Sequence, residues 1–387
     1  MPPVKKLLII SNRYPVGPDD VASPFVHDFR LALENENIRP HVVTPFYESA
    51  TDEKYLDDYV HRFHWSDGTT VVSQLPLWNP LSGFKVGRYL RSGFKLAGKI
   101  LERHDCDAVL ALWAAPSGII ARKLHLKYGV PYAVWALGSD INHWATRPVV
   151  GRIITRVLRE ADILYADGYQ LALRTRRLTD RNCHFMPSFH RLGITAPLDG
   201  RGRRRLLYVG RIETAKGIFD LIDAFEIFRR ENPRWSLAIV GTGRAGKSLR
   251  ETIESRKLAP AVSFHGFLPR QKIDRLLTES TAVVIPSHSD SLPLTFGEAM
   301  QAGRPVICSD VGDMPYFVDT FGVGCHFPAG DWEKLAACLA LMAADDRDFR
   351  SRCRRVTEEL DIAKSAGTVA GWLETLKPEK PHLVTAL

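Results

Sequence analysis

The feature that most constrains this chain is an alternation of apolar runs and amphipathic stretches that occurs twice. In the first half, KLLII at 6–10, PHVVT at 40–44, AVLA at 108–111, YAVW at 132–135 and ILYA at 163–166 read as buried strands. Between them lie helical patterns: one carrying Phe25, Phe29, Leu31 and Leu33, one over 86–103 and one over 117–128. Strands alternating with helices make βαβ units and a parallel sheet. The polar, basic stretch DGRGRRR at 199–205 then interrupts the pattern. It restarts with strands at 206–209, 235–240, 261–264, 282–285 and 305–308, and helices at 217–230, 270–277 and 298–303. A chain of 387 residues is too long for one ordinary core. The expected fold is therefore α/β, with two Rossmann-like, doubly wound domains facing a cleft. Ligands in such sheets bind outside the carboxyl ends of the strands. The expected limits are residues 1–190 for the first domain, 191–205 for a linker and 206–364 for the second domain. Residues 365–387 form a last helix and tail.

Composition narrows the class. The chain is 45% hydrophobic and 25% charged, with a formal charge of +8. That excess suits anionic ligands or a membrane surface and does not imply nucleic acid. The six cysteines form no CxxC pair and no Cys/His cluster with zinc spacing, so they read as small buried hydrophobes in a reducing compartment. The run at 7–10 is a strand rather than a signal peptide, and the apolar stretch 108–121 contains Pro116 and is too short to span a bilayer. The expected location is cytoplasmic, with at most a peripheral place at the inner face of the membrane.

Three stretches carry chemistry. In YVGRIETAKG (208–217) a strand ends at Gly210, Arg211 and Lys216 follow, and a glycine opens a helix. Two cations beside a helix N-terminus attract phosphate, whereas a lone Arg and Lys would be ordinary loop charges. Gly241-Thr-Gly243 follows a strand and suggests a tight turn near a ligand. In SHSDSLPLTFGEAM (287–300) two carboxylates, Asp290 and Glu298, stand eight positions apart, one in a loop and one on a helix. A carboxylate at Glu298 suits the paired hydroxyls of a ribose, or is a helix-favouring acid. Asp290 suits sugar hydroxyls, or is a turn residue.

In this order, Gly210-Arg211…Lys216-Gly217, Gly241-Thr-Gly243, Val262-x-Phe264-x-Gly266 and Asp290…Glu298-Ala-Met-x-Ala-Gly303-x-Pro305-Val306 resemble the retaining glycosyltransferases of the GT-B fold, family 4. In the first half, Tyr14-Pro15, Pro24-Phe25-Val26 and Gly138-Ser-Asp140 are similar to that family's first loop and cleft loop. The resemblance implies that a sugar moves from a nucleotide-sugar co-substrate, UDP- or GDP-linked, to a hydroxyl of a glycan, glycolipid or small molecule, without a cofactor or metal. The setting it implies is cell-surface polysaccharide or glycoconjugate synthesis. Arg211 and Lys216 would hold the diphosphate, Glu298 the ribose, and Asp290 with the backbone of Ser291, Leu292, Pro293 and Leu294 the sugar. Gly210 and Gly241 would line the donor, Phe267 would meet the base, and Gly138, Asp140 and His143 would stand on the acceptor side. The last helix would return to the first domain.

The chain departs from the family at three points. Asp290 replaces the usual Glu, Leu137 the usual His before Gly138, and Val21-Ala22-Ser23-Pro24 a Gly-Gly pair. His143 could substitute for the missing imidazole, or lie on the surface. These departures keep open a catalytically degenerate nucleotide-sugar-binding scaffold. An epimerase or phosphorylase on the same fold is a further alternative. Finally, residues 86–101 (Val86 and Leu101 at the ends) form a basic amphipathic helix with Lys85, Arg88, Arg91, Lys95 and Lys99 beside an apolar stripe. Such a helix could rest on anionic lipid, or pack as an ordinary domain helix with a solvated basic face.

Overall fold

The computed structural model describes residues 4–17, 20, 23–48, 58–72, 75, 80–192 and 203–376. The expected linker falls largely outside them, as do Val21, Ala22 and the tail beyond 376. The chain divides into two compact units, one up to His190 plus the segment from Ile362 onward, the other from Arg191 to Asp361.

The first unit contains β1 (Lys5–Ile10), α1 (Phe25–Asn35), β2 (Ile38–Pro45), β3 (Val60–Phe63), α2 (Pro80–His104), β4 (Ala108–Leu112) and α3 (Ser117–Tyr128). It continues with β5 (Tyr132–Ala136), α4 (Pro148–Glu160), β6 (Ile163–Ala166), α5 (Tyr169–Thr179) and β7 (His184–Phe185). The strands form one parallel sheet in the order β3-β2-β1-β4-β5-β6-β7. Strand pleating splits the apolar residues into two layers. Leu7 and Ile9 pack with α1 and with residues Ala366, Val369 and Trp372 near the chain end, while Leu8 and Ile10 pack under α2 and α3. Within α1, Phe25, Phe29 and Leu33 are buried. Leu31 is exposed, because six residues past Phe25 the helix has turned it toward solvent.

The second unit contains β8 (Arg203–Val209), α6 (Ile218–Glu231), β9 (Ser236–Val240), α7 (Gly246–Ser255), β10 (Val262–Gly266), α8 (Arg270–Glu279) and β11 (Ser280–Ile285). It continues with α9 (Leu294–Gln301), β12 (Val306–Ser309), α10 (Met314–Phe321), β13 (Gly324–Phe327), α11 (Trp332–Ala344) and α12 (Arg350–Glu359). Its sheet is parallel in the order β10-β9-β8-β11-β12-β13. The final helix, α13 (Ile362–Thr375), packs on α1 in the first unit.

Three expected boundaries differ. Strand β8 starts at Arg203 rather than 206, so the last three residues of the expected linker are strand. Helix α9 starts at Leu294, four residues before Glu298, because Pro293 at its N-cap has extended geometry and the chain turns helical immediately after it. Glu298 is therefore in mid-helix. Helix α2 starts at Pro80 rather than at 86 and runs 25 residues without a break. Of the cysteines, Cys106, Cys308, Cys338 and Cys353 are buried, Cys183 and Cys325 are half-buried, and all six are free thiols.

Candidate active site

In the second sheet the strand order reverses between β8 and β11, which lie side by side although three helices separate them in sequence. The crevice outside such a reversal is where doubly wound sheets bind ligands. The two loops that leave it are 210–217, after β8, and 286–293, after β11. They are stitched together by backbone: His288 N–H donates to Ala215 O at 3.0 Å. The Thr295 hydroxyl donates to Val209 O at 3.1 Å, and the Tyr208 hydroxyl donates to Arg211 O at 2.8 Å. The loop after β9 joins them, with Gly210 N–H donating to Val240 O and Ile212 N–H to Thr242 O.

Two glycines are required by this stitching. Gly217 has φ +66°, and a Cβ there would lie 1.8 Å from Pro286 O. Gly241 has φ +141°, and a Cβ there would lie 1.8 Å from Gly210 O. Both are positions where backbone approaches backbone too closely for any side chain.

The loops bring together residues that the sequence singled out separately. Lys216 ends a 3-10 turn, Thr214–Lys216, that leads into α6. Its ammonium lies 2.6 Å from the Asp290 carboxylate, with both side chains about one-fifth exposed. The Tyr208 hydroxyl is pushed well above the usual phenol range, first by burial and then by the Asp290 charge, which puts Asp290 beside it as well. The Arg211 guanidinium is 68% exposed and rests on Glu213 at 3.1 Å. Ser291 O accepts from Asp313 N–H at 2.9 Å, the Leu292 side chain is buried, and Pro293 and Leu294 open α9.

Glu298 is only 6% exposed and its carboxylate accepts from the Arg270 guanidinium at 2.5 Å. Arg270 also donates to Asp274, one helical turn on, at 2.7 Å. Arg270 was not among the expected site residues. Its one sequence signal was the i,i+4 spacing to Asp274, which reads as a surface pair. Phe267 follows Gly266 (φ +66°) at the end of β10 and is 56% exposed, an aromatic face open to solvent.

In the first unit, Gly138 (φ +102°) and Asp140 follow β5. The Asp140 carboxylate is fully buried and accepts from the backbone N–H groups of Ala114 at 2.8 Å, Ile141 at 3.1 Å and Leu137 at 3.3 Å. It ties the end of β4 to the turn after β5, so its chemistry is spent on the backbone. Burial pushes its carboxyl up and the N–H groups oppose that. His143 is exposed, with Trp144 edge-on to it at 5.0 Å. Just beyond it, a groove of about 630 Å³ along α4 is lined by Thr146, Arg147, Arg152, Arg156 and Arg159.

Known proteins resemble this chain in sequence and fold. Residues 198–359 match the family model described as glycosyl transferases group 1. Over 164 residues the chain is 32% identical to a glycogen synthase of Mycobacterium tuberculosis, covering 41% of this chain and 40% of that one. Over 236 residues it is 27% identical to the putative teichuronic acid biosynthesis glycosyltransferase TuaC of Bacillus subtilis, covering 55% and 56%. The chain thus spans about half or less of the length of these curated relatives. Among solved structures, a sucrose-phosphate synthase from Thermosynechococcus elongatus superposes with a TM-score of 0.76 at 18% identity, covering 96% of this chain and 99% of that one. HepE from Anabaena, solved with UDP, superposes with a TM-score of 0.72 at 17% identity, covering 96% and 100%. The chain thus has the GT-B glycosyltransferase fold, and its residues 198–359 are similar to the glycosyl transferases group 1 family.

Proposed function

We propose that the chain transfers a sugar, with retention of anomeric configuration, from a nucleotide diphosphate sugar to a hydroxyl of a glycan or glycolipid acceptor. The observation that carries this is the Lys216–Asp290 pair, with Arg211 nearby, on the loops that leave the β8/β11 reversal. The Lys216 ammonium and the Arg211 guanidinium meet the diphosphate as charge-assisted donors. As the bond between the sugar's anomeric carbon and the phosphate oxygen breaks, its electron pair goes to that oxygen. Cations already in place stabilise the growing charge. The acceptor hydroxyl forms the new bond on the same face, and its proton passes to the departing phosphate.

Asp290 has two tasks in this reading. It holds Lys216 in position and offers its second oxygen to a sugar hydroxyl. Glu298, oriented by Arg270, accepts from the ribose hydroxyls, and Phe267 provides a surface for the base. Support for a uridine nucleotide comes from relatives: HepE was solved with UDP-glucose, and a Staphylococcus aureus TarM variant with UDP and alpha-GlcNAc-glycerol. The polysaccharide setting is supported by likeness to an amylovoran biosynthesis glycosyltransferase of Erwinia amylovora, 29% identical over 150 residues. The two units are then the acceptor and donor domains.

A peripheral place on an anionic membrane is part of the same proposal. Leu81, Phe84, Arg88, Arg91, Lys95 and Lys99 recur at spacings of three and four and share one face of α2. Leu81 and Phe84 are 68% and 74% exposed, and the four cations are exposed too. Among the described residues no helix is long and apolar enough to cross a membrane.

The test is a thermal-shift panel of UDP-, GDP- and ADP-sugars, followed by NMR of the product formed with the donor that binds. A ligand that binds only the folded state raises the melting point by mass action. The reading expects stabilisation by one nucleotide class and a product with the donor's anomeric configuration. Inversion would refute the mechanism. Binding with no transfer to any glycan or glycolipid offered would favour a degenerate scaffold.

A further inference from the structure

Three histidines that lie far apart in sequence meet at the edge of the first sheet. His41 is on β2, His61 on β3, and His104 ends α2. In the parallel register Val43 faces His61, so the pleat puts His41 and His61 on the same side of the sheet as diagonal neighbours. Helix α2 packs against both strands, and its last residue closes over them. His41 Nδ1 is 3.3 Å from His61 Nε2. The His104 ring stacks on His41 at 3.9 Å between centroids and lies 6.0 Å from His61. One ring nitrogen from each residue lies within 4.8 Å of the others.

We propose that His41, His61 and His104 bind a divalent transition-metal ion of the zinc type, which clips β2, β3 and the end of α2 together. Geometry argues for it first. Zn–N bonds of about 2.0–2.1 Å in a tetrahedron put ligand nitrogens about 3.3–3.4 Å apart. The His41–His61 pair is already at that separation. His104 has to come in by up to about 1.5 Å and unstack, which a half-buried side chain at a helix end can do by turning its ring. Second, His41 is 2% exposed, so an ion held on its Nδ1 has one side shielded from bulk water. Arg39, Lys6 and Arg103 are the charged groups close to these rings.

The same cations repel a dication, so a micromolar rather than a picomolar site is expected. The fourth coordination position is left to water, since His61 and His104 are partly exposed. His61 is only the second residue of β3 and His104 immediately precedes the turn into β4, so the cluster is away from the carboxyl ends of the strands. Its role is structural, securing an edge strand that would otherwise hold by backbone pairing on one side.

The test uses full-length protein with no affinity tag, stripped with a chelator and titrated with cobalt(II) and then zinc(II). The expected result is one equivalent of four-coordinate cobalt, seen by its visible absorption, displaced by one equivalent of zinc. Saturating zinc should raise the melting temperature by a few degrees. His61→Gln and His104→Gln, both at partly exposed positions, should each weaken binding by about tenfold or more while leaving metal-free stability nearly unchanged. His326→Gln, an exposed histidine elsewhere, should bind as the native protein does. No saturable binding, a dissociation constant weaker than about 1 mM, or native titrations from both His61→Gln and His104→Gln would overturn the proposal.

Discussion

Lys216 and Asp290 are 74 positions apart in sequence and 2.6 Å apart in space. The pair is about one-fifth exposed, so its contribution to folding is modest, about 1 kcal/mol or less. In the proposed reaction the same ammonium meets the leaving diphosphate. Lys216→Ala is therefore expected to lower kcat by about 10²–10³-fold and the melting temperature by no more than about 4 °C. Steady-state kinetics beside a melting curve checks this. Stability and activity falling together would mean a structural lysine.

Glu298 and Arg270 behave differently, because their contact is more deeply buried. Removing Arg270 leaves a carboxylate that is 6% exposed without its guanidinium. Arg270→Ala is expected to cost about 2–4 kcal/mol of stability and to weaken nucleotide binding. Glu298→Gln keeps the shape and one acceptor, and should cost less stability while still losing affinity. Urea unfolding and nucleotide titration on both variants separate the two effects. A native-like Arg270→Ala in both assays would remove Arg270 from the site.

Much of this was legible in the sequence, and the rest was hidden for identifiable reasons. Strands β4 and β5 are fully buried apolar runs, β1, β8 and β11 hold largely buried apolar runs after polar first residues, and helix α3 matches its expected limits. Strand β3, with sequence VHRF, went unseen because an edge strand half open to solvent has no apolar run to display. The 210–217 loop was visible as Arg211 and Lys216 around glycines, but the partner of each charge was not. The pairing of Lys216 with Asp290, and of Arg270 with Glu298, depends on which strand ends lie side by side. Asp140 was expected beside the acceptor, yet its carboxylate is used on three backbone N–H groups. The three histidines had no metal-site spacing in sequence, because sheet register rather than a local motif brings them together.

Gly217 separates strain from close approach. Gly129 also has positive φ, +70°, but a Cβ there would meet nothing within 4 Å. Gly129→Ala should therefore cost only the left-handed penalty, about 1–2 kcal/mol. Gly217→Ala carries that penalty and drives a methyl into Pro286 O, so the 210–217 and 286–293 loops must part. It should lose more stability than Gly129→Ala and nearly all nucleotide binding. Equal stability losses in the two variants would show that the loops yield without cost.

Asp140 gives a pH prediction. Its folded carboxyl is raised by burial, and the three backbone N–H groups only partly offset this. A raised folded value means the native state holds the proton more tightly than the unfolded chain. The group's contribution is then fully present below the ordinary Asp range and is lost as pH rises through the raised value. The stability gap between native protein and Asp140→Asn should shrink from about pH 4 toward pH 7. Urea midpoints across that range decide it, and a gap that widens with pH would mean the N–H groups outweigh burial.

Helix α2 makes the last prediction, because its exposed face combines two membrane-seeking features. Phe84 and Leu81 offer apolar area near its start, and Arg88, Arg91, Lys95 and Lys99 continue the same face. Each cation near an anionic surface contributes about 1 kcal/mol, screened within about 10 Å at moderate salt. The chain should sediment with vesicles rich in phosphatidylglycerol, stay in solution with phosphatidylcholine vesicles, and release as salt rises. Arg88→Glu with Arg91→Glu should abolish binding through charge, whereas Phe84→Ser should weaken it and leave its salt dependence intact. Neither change touches the loops after β8 and β11, so transfer to a soluble acceptor should be unaltered. Binding that ignores lipid charge, or survives the double charge reversal, would mean that α2 is an ordinary solvated helix.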